Sequence, residues 1–438
     1  MKRMGLFVGV AMIAAAGLSD VQRQVRYLST EGDDANDGLT ERTPWRTLHK
    51  MSEALPQSGL GLLRRGDVFY GQLTIPAGLS PSSPTTIDAY GTGPSPEVCG
   101  YKIPKRDPGV WKQVGDKLWQ IDLADHSLFD GNHETADGNV GFLLVDGRFF
   151  GEKSSYKKKQ TPSKQWGFGD DYRHLTVWSE ANPAVAAKDI RIAVKMHLLN
   201  PGSNTEVRNV VFRGTGSHGL SVTDPSHVRV SGCGFVEIGG SYLEPKPEWG
   251  GTRYGNGVQL WRGGSDVVVT NCAFADIYDV AFTMQGPKPL RSWEDVHVVD
   301  CAITNCTQCF EVWAKECSPG VGFRNCSFKR NRCIGTGQGW GYDVRPNKVC
   351  ASPILMFMMD TEMCDIQIEG NYFENSRGSL VHKNPGGILQ LPDTFVIKGN
   401  TIVGPTDRRV ANRMWGKKTE AENAREAEIR KTNDFVER

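Results

Sequence analysis

Beyond its first residues the sequence has no long apolar run, no excess of either charge and few long helical patterns. No later stretch is apolar enough to form a membrane-spanning helix. With 51 basic and 50 acidic residues the net charge is +1, so neither a nucleic-acid surface nor a surface for anionic membranes is predicted. A Gly-x-Ser-x-Gly motif is also lacking, which argues against a serine hydrolase that uses this elbow.

The N-terminus has the features of a secretory signal. Lys2 and Arg3 supply positive charge, and the apolar run from Gly5 to Leu18 is short for a bilayer span. Small residues from Ala14 to Ala16 suit cleavage. We therefore predict a signal peptide over residues 1–19 and a secreted or periplasmic, monomeric mature protein, with an uncleaved anchor as the alternative.

A repeated phrase organises the chain from about Val207 to Val403. Each copy has two alternating apolar residues, then Gly, Asn or Asp, then Cys or Asn, then an apolar residue, as in Val267-Val-Val-Thr-Asn-Cys-Ala-Phe274. The steps between copies vary from 25 to 45 residues, which indicates one structural turn with inserted loops of different length. The Cys or Asn position, expected to form an internal ladder of stacked side chains, falls at Cys233, Cys272, Cys301, Cys326, Asn371 and Asn400.

A second strand-like segment follows each phrase, and no helical pattern separates the two. These segments cover residues 218–222, 256–261, 279–284, 308–313, 353–358 and 378–381. Strands that stack in parallel without helical crossovers form a parallel β-helix. A propeller needs nearly equal blades and a sandwich shows hairpin turns, so both are less consistent with this sequence.

Four further regions complete the predicted organisation. Residues 20–110 hold the first turns and an amphipathic capping helix with Thr43 as N-cap and Pro44 in its first turn. Residues 111–190 interrupt the repeats and are predicted to form a small β-rich insertion. Residues 191–408 are the core turns, and residues 409–438 form a charged tail that is a solvated helix or partly disordered. The apolar face of the capping helix consists of Trp45, Leu48, Met51 and Leu55.

Eleven cysteines raise the question of disulfides in an exported chain. Four of them occupy the ladder, where a buried thiol packs as a small apolar side chain. The others lie in or near loops and are candidates for one or two disulfides: Cys306, Cys309, Cys317, Cys333, Cys350 and Cys364. Cys306 and Cys309 have zinc-knuckle spacing, but no second pair follows, so no metal site is predicted there.

Several motifs near the N-terminus resemble secreted bacterial right-handed β-helix proteins of the pectate-lyase-like superfamily. They are an acidic Asp34-x-Asn-Asp-Gly38 turn, Thr43-Pro-Trp-x-Thr-Leu48, Arg65-Gly-Asp-x-Phe69 and Ile87-Asp-Ala-Tyr-Gly91. The resemblance covers nearly the whole mature chain and implies an all-β, right-handed parallel β-helix. Those families include polysaccharide lyases and glycoside hydrolases, so it specifies the fold well and the reaction poorly.

Alternation within the second strands predicts which side chains face outward and could meet a substrate. Ser221, Gln259, Phe282 and Glu311 are assigned outward, with Trp261, Met284 and Trp313 two positions further on, whereas Ala281 and Thr283 are assigned to the core. Outward indoles beside amides and carboxyls suit a sugar, whose C–H face stacks while its hydroxyls form hydrogen bonds. Cover by loops is the alternative explanation of the indoles.

Two carboxylates on consecutive turns, Asp279 and Glu311, are the predicted catalytic pair. Stacked parallel strands lie about 4.8 Å apart, which allows the separations of ~5 to 9 Å used in glycoside hydrolysis. The carboxyl beside an aromatic wall would have a raised pKa and act as the acid. Asp343, in a glycine-rich loop, is a third candidate. Plain structural hydrogen bonding by these residues is the competing interpretation.

The predicted substrate is a polysaccharide or oligosaccharide. Phrases such as Tyr254-Gly-Asn-Gly-x-x-x-Trp261 resemble those of glycoside-hydrolase-like bacterial β-helix proteins, and the resemblance implies a carbohydrate site across these turns. The candidate substrate-binding residues are His218, Trp249, Arg253, Tyr254, Asn256, Gln259, Trp261, Gln285, Trp313, Trp340, Tyr342 and Arg345.

Two other functions stay open from the sequence. A lyase acting on a uronate polymer would use Arg253, Arg345, His218 or Tyr254 as base and charge neutraliser. A non-catalytic glycan-binding protein would need no paired acids. No cofactor is predicted, and Ca²⁺ has one candidate position, the acidic turn Asp33–Asp37, which is expected to be structural.

Overall fold

The computed structural model describes residues 23–131, 138–154, 167–243, 251–345, 351–361, 363–384, 393–404, 410–412 and 419–436. Three long sheets of exclusively parallel strands run side by side along the molecule. The chain visits the three sheets in turn and then begins the next turn, which makes a parallel β-helix as the repeats predict. The predicted signal peptide lies outside the described residues.

The sheets are called sheet 1, sheet 2 and sheet 3 in the order in which a turn visits them. Sheet 1 consists of Val25–Leu28, Leu60–Arg64, Thr85–Tyr90, Thr205–Arg208, Ser226–Ser231, Gly264–Thr270, Trp293–Val299, Phe323–Lys329, Cys364–Glu369 and Phe395–Lys398. Sheet 2 consists of Val68–Tyr70, Glu97–Cys99, Val211–Thr215, Gly234–Ile238, Ala273–Ile277, Ala302–Thr304, Arg332–Ile334, Tyr372–Glu374, Thr401–Val403 and Asp434–Val436. Sheet 3 consists of Leu73–Ile75, Leu199–Pro201, Leu220–Thr223, Val258–Trp261, Val280–Pro287, Gln308–Lys315, Ile354–Phe357, Val381–Asn384 and Ala411–Asn412.

Each turn therefore has three strands, where the sequence pattern predicts two. The predicted phrase spans a sheet 1 strand, a sharp corner and the following sheet 2 strand. Like side chains stack between turns, because parallel strands in register place equivalent residues directly above one another. Phe235 lies 5.4 Å from Phe212 and 5.1 Å from Phe274, with the rings nearly parallel. Burial of such columns is the main stabilising term of the solenoid.

The internal ladder is confirmed, with one residue reassigned. Cys301 donates its backbone N–H to Asn331 Oδ1 at 2.9 Å, and Asn331 donates its own to Asn371 Oδ1 at 2.9 Å. Asn400 and Asn433 continue the ladder in the same way. Its members are Cys233, Cys272, Cys301, Asn331, Asn371, Asn400 and Asn433.

The prediction that Cys326 belongs to the ladder is wrong. Cys326 lies one strand earlier, in sheet 1, opposite Ile366, and its thiol contacts the carbonyl of Trp293 at 3.5 Å. The corner residue before each ladder position from Cys233 to Asn400 has a positive φ, which favours Gly, Asn or Asp. In this turn the corner residue is Arg330, with φ 53°, so the sequence lacks the Gly, Asn or Asp by which the repeated phrase is recognised.

The N-terminal helix is shorter than predicted. Helix α1 covers Leu48–Ala54, and its N-cap is Thr47 rather than Thr43. Thr47 accepts the Lys50 N–H at 3.1 Å and donates its hydroxyl to Asp34 at 2.6 Å. The carboxylate of Asp34 is thereby used in the chain's own hydrogen bonds, in agreement with a structural acidic turn. Leu48 and Met51 join the main core.

The β-rich insertion extends from Tyr101 to Val194, beyond the predicted 111–190. One antiparallel sheet contains Tyr101–Pro104, Phe129–Asp130, Val140–Val145, Arg148–Phe149 and Ile190–Val194. The other contains Lys112–Gly115, Leu118–Asp122, Phe168–Asp170 and His174–Trp178. Short 3-10 helices at Pro108–Val110 and His126–Leu128 and helix α2 at Pro183–Ala186 complete it. It has its own hydrophobic core.

The insertion leaves the solenoid at the corner between sheet 2 and sheet 3. Two other insertions leave at the same corner of later turns: a hairpin with strands Ser241–Tyr242 and Arg253–Tyr254, and a loop with helix α3 at Trp340–Asp343. Stacked at one corner, the three insertions pack together and form a wall beside sheet 3. This arrangement defines the face on which the candidate site lies.

The C-terminal tail covers the end of the solenoid. Helix α4 spans Glu420–Lys431, begins with a capping box between Thr419 and Glu422, and buries Ile429. The strand Asp434–Val436 then pairs with Thr401–Val403 as the last strand of sheet 2. The tail is therefore packed against the solenoid, unlike the predicted solvated helix. Its low apolar content is the reason that the sequence did not indicate this packing.

Cysteines throughout the described chain are free thiols, and nearly all of them are buried. The expected one or two disulfides are thus not formed by Cys306, Cys309, Cys317, Cys333 or Cys364, while Cys350 lies outside the described residues. Among the described residues, no helix has the length and apolar character needed to cross a membrane.

Candidate functional site

The candidate site lies on the outer face of sheet 3, beside the wall of insertions. Two rows of side chains run across the strands of this face. The first row, which contains the polar side chains, is Ser221, Gln259, Thr283, Glu311, Leu355 and His382. The second row, which contains the aromatic side chains, is Thr223, Trp261, Gln285, Trp313, Phe357 and Asn384.

The two rows require a correction in one strand. Phe282 pairs with Val258 and Phe310, and together with Met284 it is fully buried in the main core. The predictions of an outward Phe282 and Met284 and an inward Thr283 are therefore wrong. Val280, Ala281 and Phe282 are three consecutive apolar residues, so alternation alone could not decide the facing of this strand.

Glu311 is the buried carboxyl of the first row. Its side chain accepts a 2.9 Å hydrogen bond from the hydroxyl of Thr283 on the preceding turn, and the residue is 7% exposed. Burial, followed by the negative charge of nearby Asp279, raises the pKa of Glu311 to about 8. The Thr283 hydrogen bond and the charge of Arg345 oppose this shift. Glu311 is therefore largely protonated at neutral pH.

Asp279 directly precedes the strand Val280–Pro287, which carries Thr283, and it has a different environment from Glu311. Arg345 donates from Nη2 to Asp279 Oδ1 at 2.6 Å and from Nη1 to the carbonyl of Tyr278 at 3.1 Å. An arginine at this distance stabilises the ionised carboxylate. The structure thus brings together Asp279, Glu311 and Arg345, and it gives the two carboxyls different surroundings: Glu311 is buried next to Thr283, whereas Asp279 is paired with Arg345.

Neutral polar side chains continue the first row toward the N-terminal turns. Gln259 Oε1 accepts hydrogen bonds from the amides of Asn256, at 3.3 Å, and Gln285, and Gln259 Nε2 donates to Ser221 at 3.2 Å. Asn256 also accepts the Val280 N–H at 3.2 Å. These bonds hold the amides in fixed orientations, so they could present hydrogen-bonding groups to a ligand with little loss of side-chain entropy.

His218 and Tyr254 lie at the N-terminal side of the amides. His218 Nδ1 accepts the Asn256 N–H at 3.0 Å, which leaves the proton of the neutral ring on Nε2. Burial lowers the pKa of His218 well below its usual value. The Tyr254 ring packs edge-on against His218, with the centroids 4.9 Å apart, and its hydroxyl lies 2.8 Å from Ser217 Oγ.

Trp261 and Trp313 lie in the second row and flank Gln285. Their ring centroids are 5.8 Å apart and the rings are inclined at 62°. Both residues are half-buried, and neither belongs to the main core. The indole N–H of Trp313 is buried without a hydrogen-bond partner in the described part of the chain. This pair offers two apolar ring surfaces beside an amide.

Two predicted substrate-binding residues have structural positions instead. Arg253 is 7% exposed and donates to three backbone carbonyls. Trp340 is packed between the wall and sheet 2, stacked on Phe149 at 4.6 Å, and its N–H donates to the carbonyl of Asp276 at 3.0 Å. Since their polar groups are engaged within the protein, neither side chain is presented to a ligand.

The remaining predicted residues lie apart from the pair or outside the described chain. Asp343 is exposed, and its carboxylate lies 3.7 Å from Arg377 rather than next to Glu311. Tyr342 is half-buried under the same guanidinium, 4.5 Å from the ring centroid. Trp249 lies outside the described residues.

Sequence reasoning missed Thr283 and His197 as neighbours of the site. Thr283 would have been found by matching Phe282 to Phe310 instead of assuming alternation from Asp279. His197, whose pKa burial lowers, has its ring 5.1 Å from that of His218. It precedes the strand Leu199–Pro201 as His218 precedes Leu220–Thr223, and this repeat was the available signal.

Metal binding finds no support in the described part of the chain. No group of three or more His, Cys, Asp or Glu side chains with a suitable arrangement occurs there. Asp279 is paired with Arg345.

One comparison with known proteins bears on the fold. A family model described as a right handed beta helix region matches residues 197–349. A search of curated proteins gives no match. The chain has the right-handed parallel β-helix architecture that the sequence predicts.

Among solved structures, the chain is similar in fold to several proteins at low identity. XylC in complex with xylose is 11% identical, with 89% of this chain and 69% of that chain covered and a TM-score of 0.48. A GH136 lacto-N-biosidase from Eubacterium ramulus is 11% identical, with coverages of 94% and 68% and a TM-score of 0.43. A rhamnogalacturonan lyase is 12% identical, with coverages of 87% and 74% and a TM-score of 0.42. At these values the comparisons do not bear on the reaction.

Proposed function

We propose that this right-handed β-helix protein is a carbohydrate-active enzyme that cleaves glycosidic bonds by hydrolysis. The observation that carries the proposal is the contrast between two neighbouring carboxyls on sheet 3. Glu311 is buried with a pKa raised to about 8, whereas Asp279 is paired with Arg345 at 2.6 Å. Neighbouring carboxyls with opposed environments are how one site supplies both an acid and a base at neutral pH.

Glu311 is the proposed general acid. Its proton passes to the glycosidic oxygen as the bond to the anomeric carbon breaks, and the sugar leaves as an alcohol. Asp279 acts at the anomeric carbon in one of two ways. As a nucleophile it forms a glycosyl–enzyme ester, which water then cleaves after giving its proton to the Glu311 carboxylate; as a base it removes a proton from the water that attacks the anomeric carbon. The two outcomes, retention or inversion of the anomeric configuration, are both consistent with this pair.

The rest of the face supplies contacts that suit a neutral sugar. Trp261 and Trp313 offer ring surfaces for the C–H face of a pyranose, and Gln259 and Gln285 offer amide donors and acceptors for its hydroxyls. Because the amides are already oriented by the protein, hydroxyl recognition needs little reorganisation.

The contacts of the basic residues support hydrolysis over elimination. A lyase needs a cation that is available to the uronate carboxylate and a base near its α-carbon. Arg253 is bound to three backbone carbonyls, Arg345 is paired with Asp279, and the hydroxyl of Tyr254 contacts Ser217. These side chains are therefore engaged within the protein.

The predicted signal peptide supports action outside the cytoplasm, where polysaccharides are encountered. Lys2, Arg3 and the following apolar run carry this part of the proposal. Sequencing the N-terminus of the exported protein tests it, because cleavage near residue 19 is expected.

The function is tested by incubating the purified protein with a panel of neutral, fucosylated and uronic-acid polysaccharides. Reducing ends and the ultraviolet absorbance of unsaturated uronates are followed together. New reducing ends without absorbance are expected, and a rise of both signals would replace hydrolysis by elimination. Binding without either product would replace the enzyme by a glycan-binding protein.

Matched variants then test the residues. Glu311→Gln and Asp279→Asn are expected to lower kcat by about 10²-fold or more, since each removes one partner of acid–base catalysis. Glu294→Gln is the control, because Glu294 is an exposed carboxyl on sheet 1. Turnover near the wild-type rate in both Glu311→Gln and Asp279→Asn would refute the assignment.

A further inference from the structure

Arg253 joins three segments of the wall beside sheet 3. Its guanidinium donates from Nε to the Gly240 carbonyl at 2.7 Å, from Nη2 to Gly141 at 2.9 Å and from Nη1 to Val344 at 3.2 Å. Gly240 precedes the hairpin, Gly141 belongs to the insertion, and Val344 follows helix α3. One buried side chain therefore fixes the relative positions of all three insertions.

The bond to Val344 leads directly to the carboxyl pair. Val344 is followed by Arg345, whose guanidinium contacts both Asp279 and the carbonyl of Tyr278. Both arginines also lie over the Tyr278 ring, Arg253 at 4.8 Å and Arg345 at 5.1 Å from its centroid. Arg253, Tyr278 and Arg345 thus form a continuous stack that ends at Asp279.

We propose that Arg253 is a positioning residue of the carboxyl pair, because it holds the end of helix α3 from which Arg345 reaches Asp279. The role rests on the proposed function, although the contact it maintains does not depend on the reaction. Arg253, which the sequence predicts to bind substrate, thus acts on the carboxyl pair indirectly, through Arg345.

The rest of the wall gives Arg253 a firm base. Asn139 of the insertion exchanges hydrogen bonds with the backbone of Tyr242, at 2.7 and 3.0 Å, and accepts Lys153 Nζ at 3.2 Å. Lys153 forms an ion pair with Asp170 at 2.8 Å, and both side chains are almost fully buried. The hairpin that carries Arg253 is therefore anchored to the insertion. The segment at Val344 is the less firmly held of the two, and Arg253 binds it.

Arginine is specifically suited to this position. Its planar guanidinium offers donors in fixed, divergent directions and stacks on an aromatic ring. A lysine has a single nitrogen and cannot donate to three carbonyls that lie in separate segments with the same geometry. Arg253→Lys keeps the positive charge but is expected to release at least one carbonyl, and Val344 is the longest of the three contacts.

Loss of the Arg345 contact would raise the pKa of Glu311, because the charge of Arg345 lowers it. Within the described chain, the charged groups that act on Glu311 are Asp279 and Arg345, while Thr283 donates to it. Removing the nearby positive charge disfavours the ionised form of Glu311, and an upward pKa shift of about one unit is expected.

The experiment is an NMR titration of protein labelled with ¹³C at the glutamate carboxyl carbon, with Glu311→Gln used to assign the signal. Arg253→Lys, Arg345→Gln and their double variant are compared with Arg229→Lys, which alters an ion-paired arginine on sheet 1. The expected result is an upward shift of the Glu311 midpoint by about one pH unit in both single variants. The double variant should shift no further, and Arg229→Lys should show no shift.

An unchanged Glu311 midpoint in folded Arg253→Lys would overturn the proposal. If Arg253→Lys does not fold, as judged by circular dichroism, Arg253→Gln replaces it, and an unchanged midpoint in Arg345→Gln alone also refutes the link. The titration needs no substrate. A protein that shows the shift but cleaves no glycan would contradict the proposed function and leave the positioning role standing.

Discussion

The hydroxyl of Thr283 donates a 2.9 Å hydrogen bond to the carboxyl of Glu311, across adjacent strands of sheet 3. This bond favours the ionised form of Glu311 and therefore lowers its pKa, in opposition to burial and to the charge of Asp279. Thr283 is fully buried and makes no other contribution to the charge of the site. A substitution at Thr283 should therefore change the pKa of Glu311 without changing the position of the Glu311 side chain.

Thr283→Val should raise the pKa of Glu311 and move the alkaline limit of activity to higher pH. A shift of roughly half to one pH unit is expected, because one hydrogen bond to the charged form is lost. The measurement is the pH dependence of kcat/KM. Thr74→Val, at an exposed position on the first strand of the same sheet, is the control and should leave the profile unchanged. A downward shift in Thr283→Val would contradict the role given to this bond.

The raised pKa of Glu311 also makes stability depend on pH. The folded protein holds this proton up to about pH 8, whereas the unfolded chain releases it near the ordinary value of 4.5. The raised pKa of Glu311 therefore contributes to the free energy of unfolding in full below pH 4.5. This contribution is lost as the pH rises from 4.5 to about 8. Keeping this acid in its buried site thus has a cost in stability at neutral pH.

Glu311→Gln should consequently be more stable than the wild-type protein at neutral pH, while it loses activity. The gain is of order 3 kcal/mol at most at pH 7, and it should vanish below about pH 4.5, where both side chains are neutral. Thermal unfolding followed at several pH values measures it, with Glu294→Gln as the exposed control. Equal melting temperatures of variant and wild type across this range would show that Glu311 is not held protonated.

The internal ladder shows how far the sequence could predict the fold. Alternating apolar residues and the repeated Cys or Asn predicted a parallel β-helix, because stacked turns require like residues at like positions. One turn was misaligned because Arg330 has the left-handed corner conformation that Gly, Asn or Asp has in its neighbours. Repetition thus predicts the architecture. The alignment of a single turn depends on which residue has the left-handed corner conformation, and at Arg330 the residue type does not indicate it.

The candidate site was less predictable than the fold for a related reason. Asp279 and Glu311 were identified from their positions on neighbouring turns, but Thr283 was placed on the wrong face. Arg345 and Arg253 belong to separate insertions, and their contacts with Asp279 and Val344 depend on how these insertions pack. Side chains supplied by loops of unequal length have no period, so no repeat could assign their partners.

Asn371→Ala should strongly destabilise the C-terminal turns. Asn371 accepts the backbone N–H of Asn331 at 2.9 Å and donates to the carbonyl of Phe328 at 2.9 Å, so its loss leaves two buried groups without partners. A cost of about 2–3 kcal/mol or more follows from such orphaned groups. Hydrogen exchange of the amides around the ladder measures it, and Asn423→Ala, at an exposed position of helix α4, is the control. Unchanged protection of the Asn331 amide would contradict the ladder.

The tryptophan pair provides the final prediction, because it separates substrate binding from catalysis. Trp313 lies two residues after Glu311 on the same strand but belongs to the second row, where Gln285 lies between it and Trp261. If the two indoles hold a sugar ring near the acid, removal of one should weaken binding and leave proton transfer intact. An aromatic contact worth about 1.4 kcal/mol corresponds to a tenfold change in affinity.

Trp313→Ala should therefore raise KM about tenfold with a much smaller change in kcat, measured on an oligosaccharide released by the native enzyme. Trp313→Phe keeps a ring but removes the unpartnered N–H, so it should recover the part of the affinity that stacking provides. Trp178→Ala, at a half-buried tryptophan of the insertion, is the control and should leave both constants unchanged. A Trp313→Ala variant that loses kcat at unchanged KM would instead mean that the indole shapes the surroundings of Glu311, and the sugar platform would have to be sought elsewhere on sheet 3.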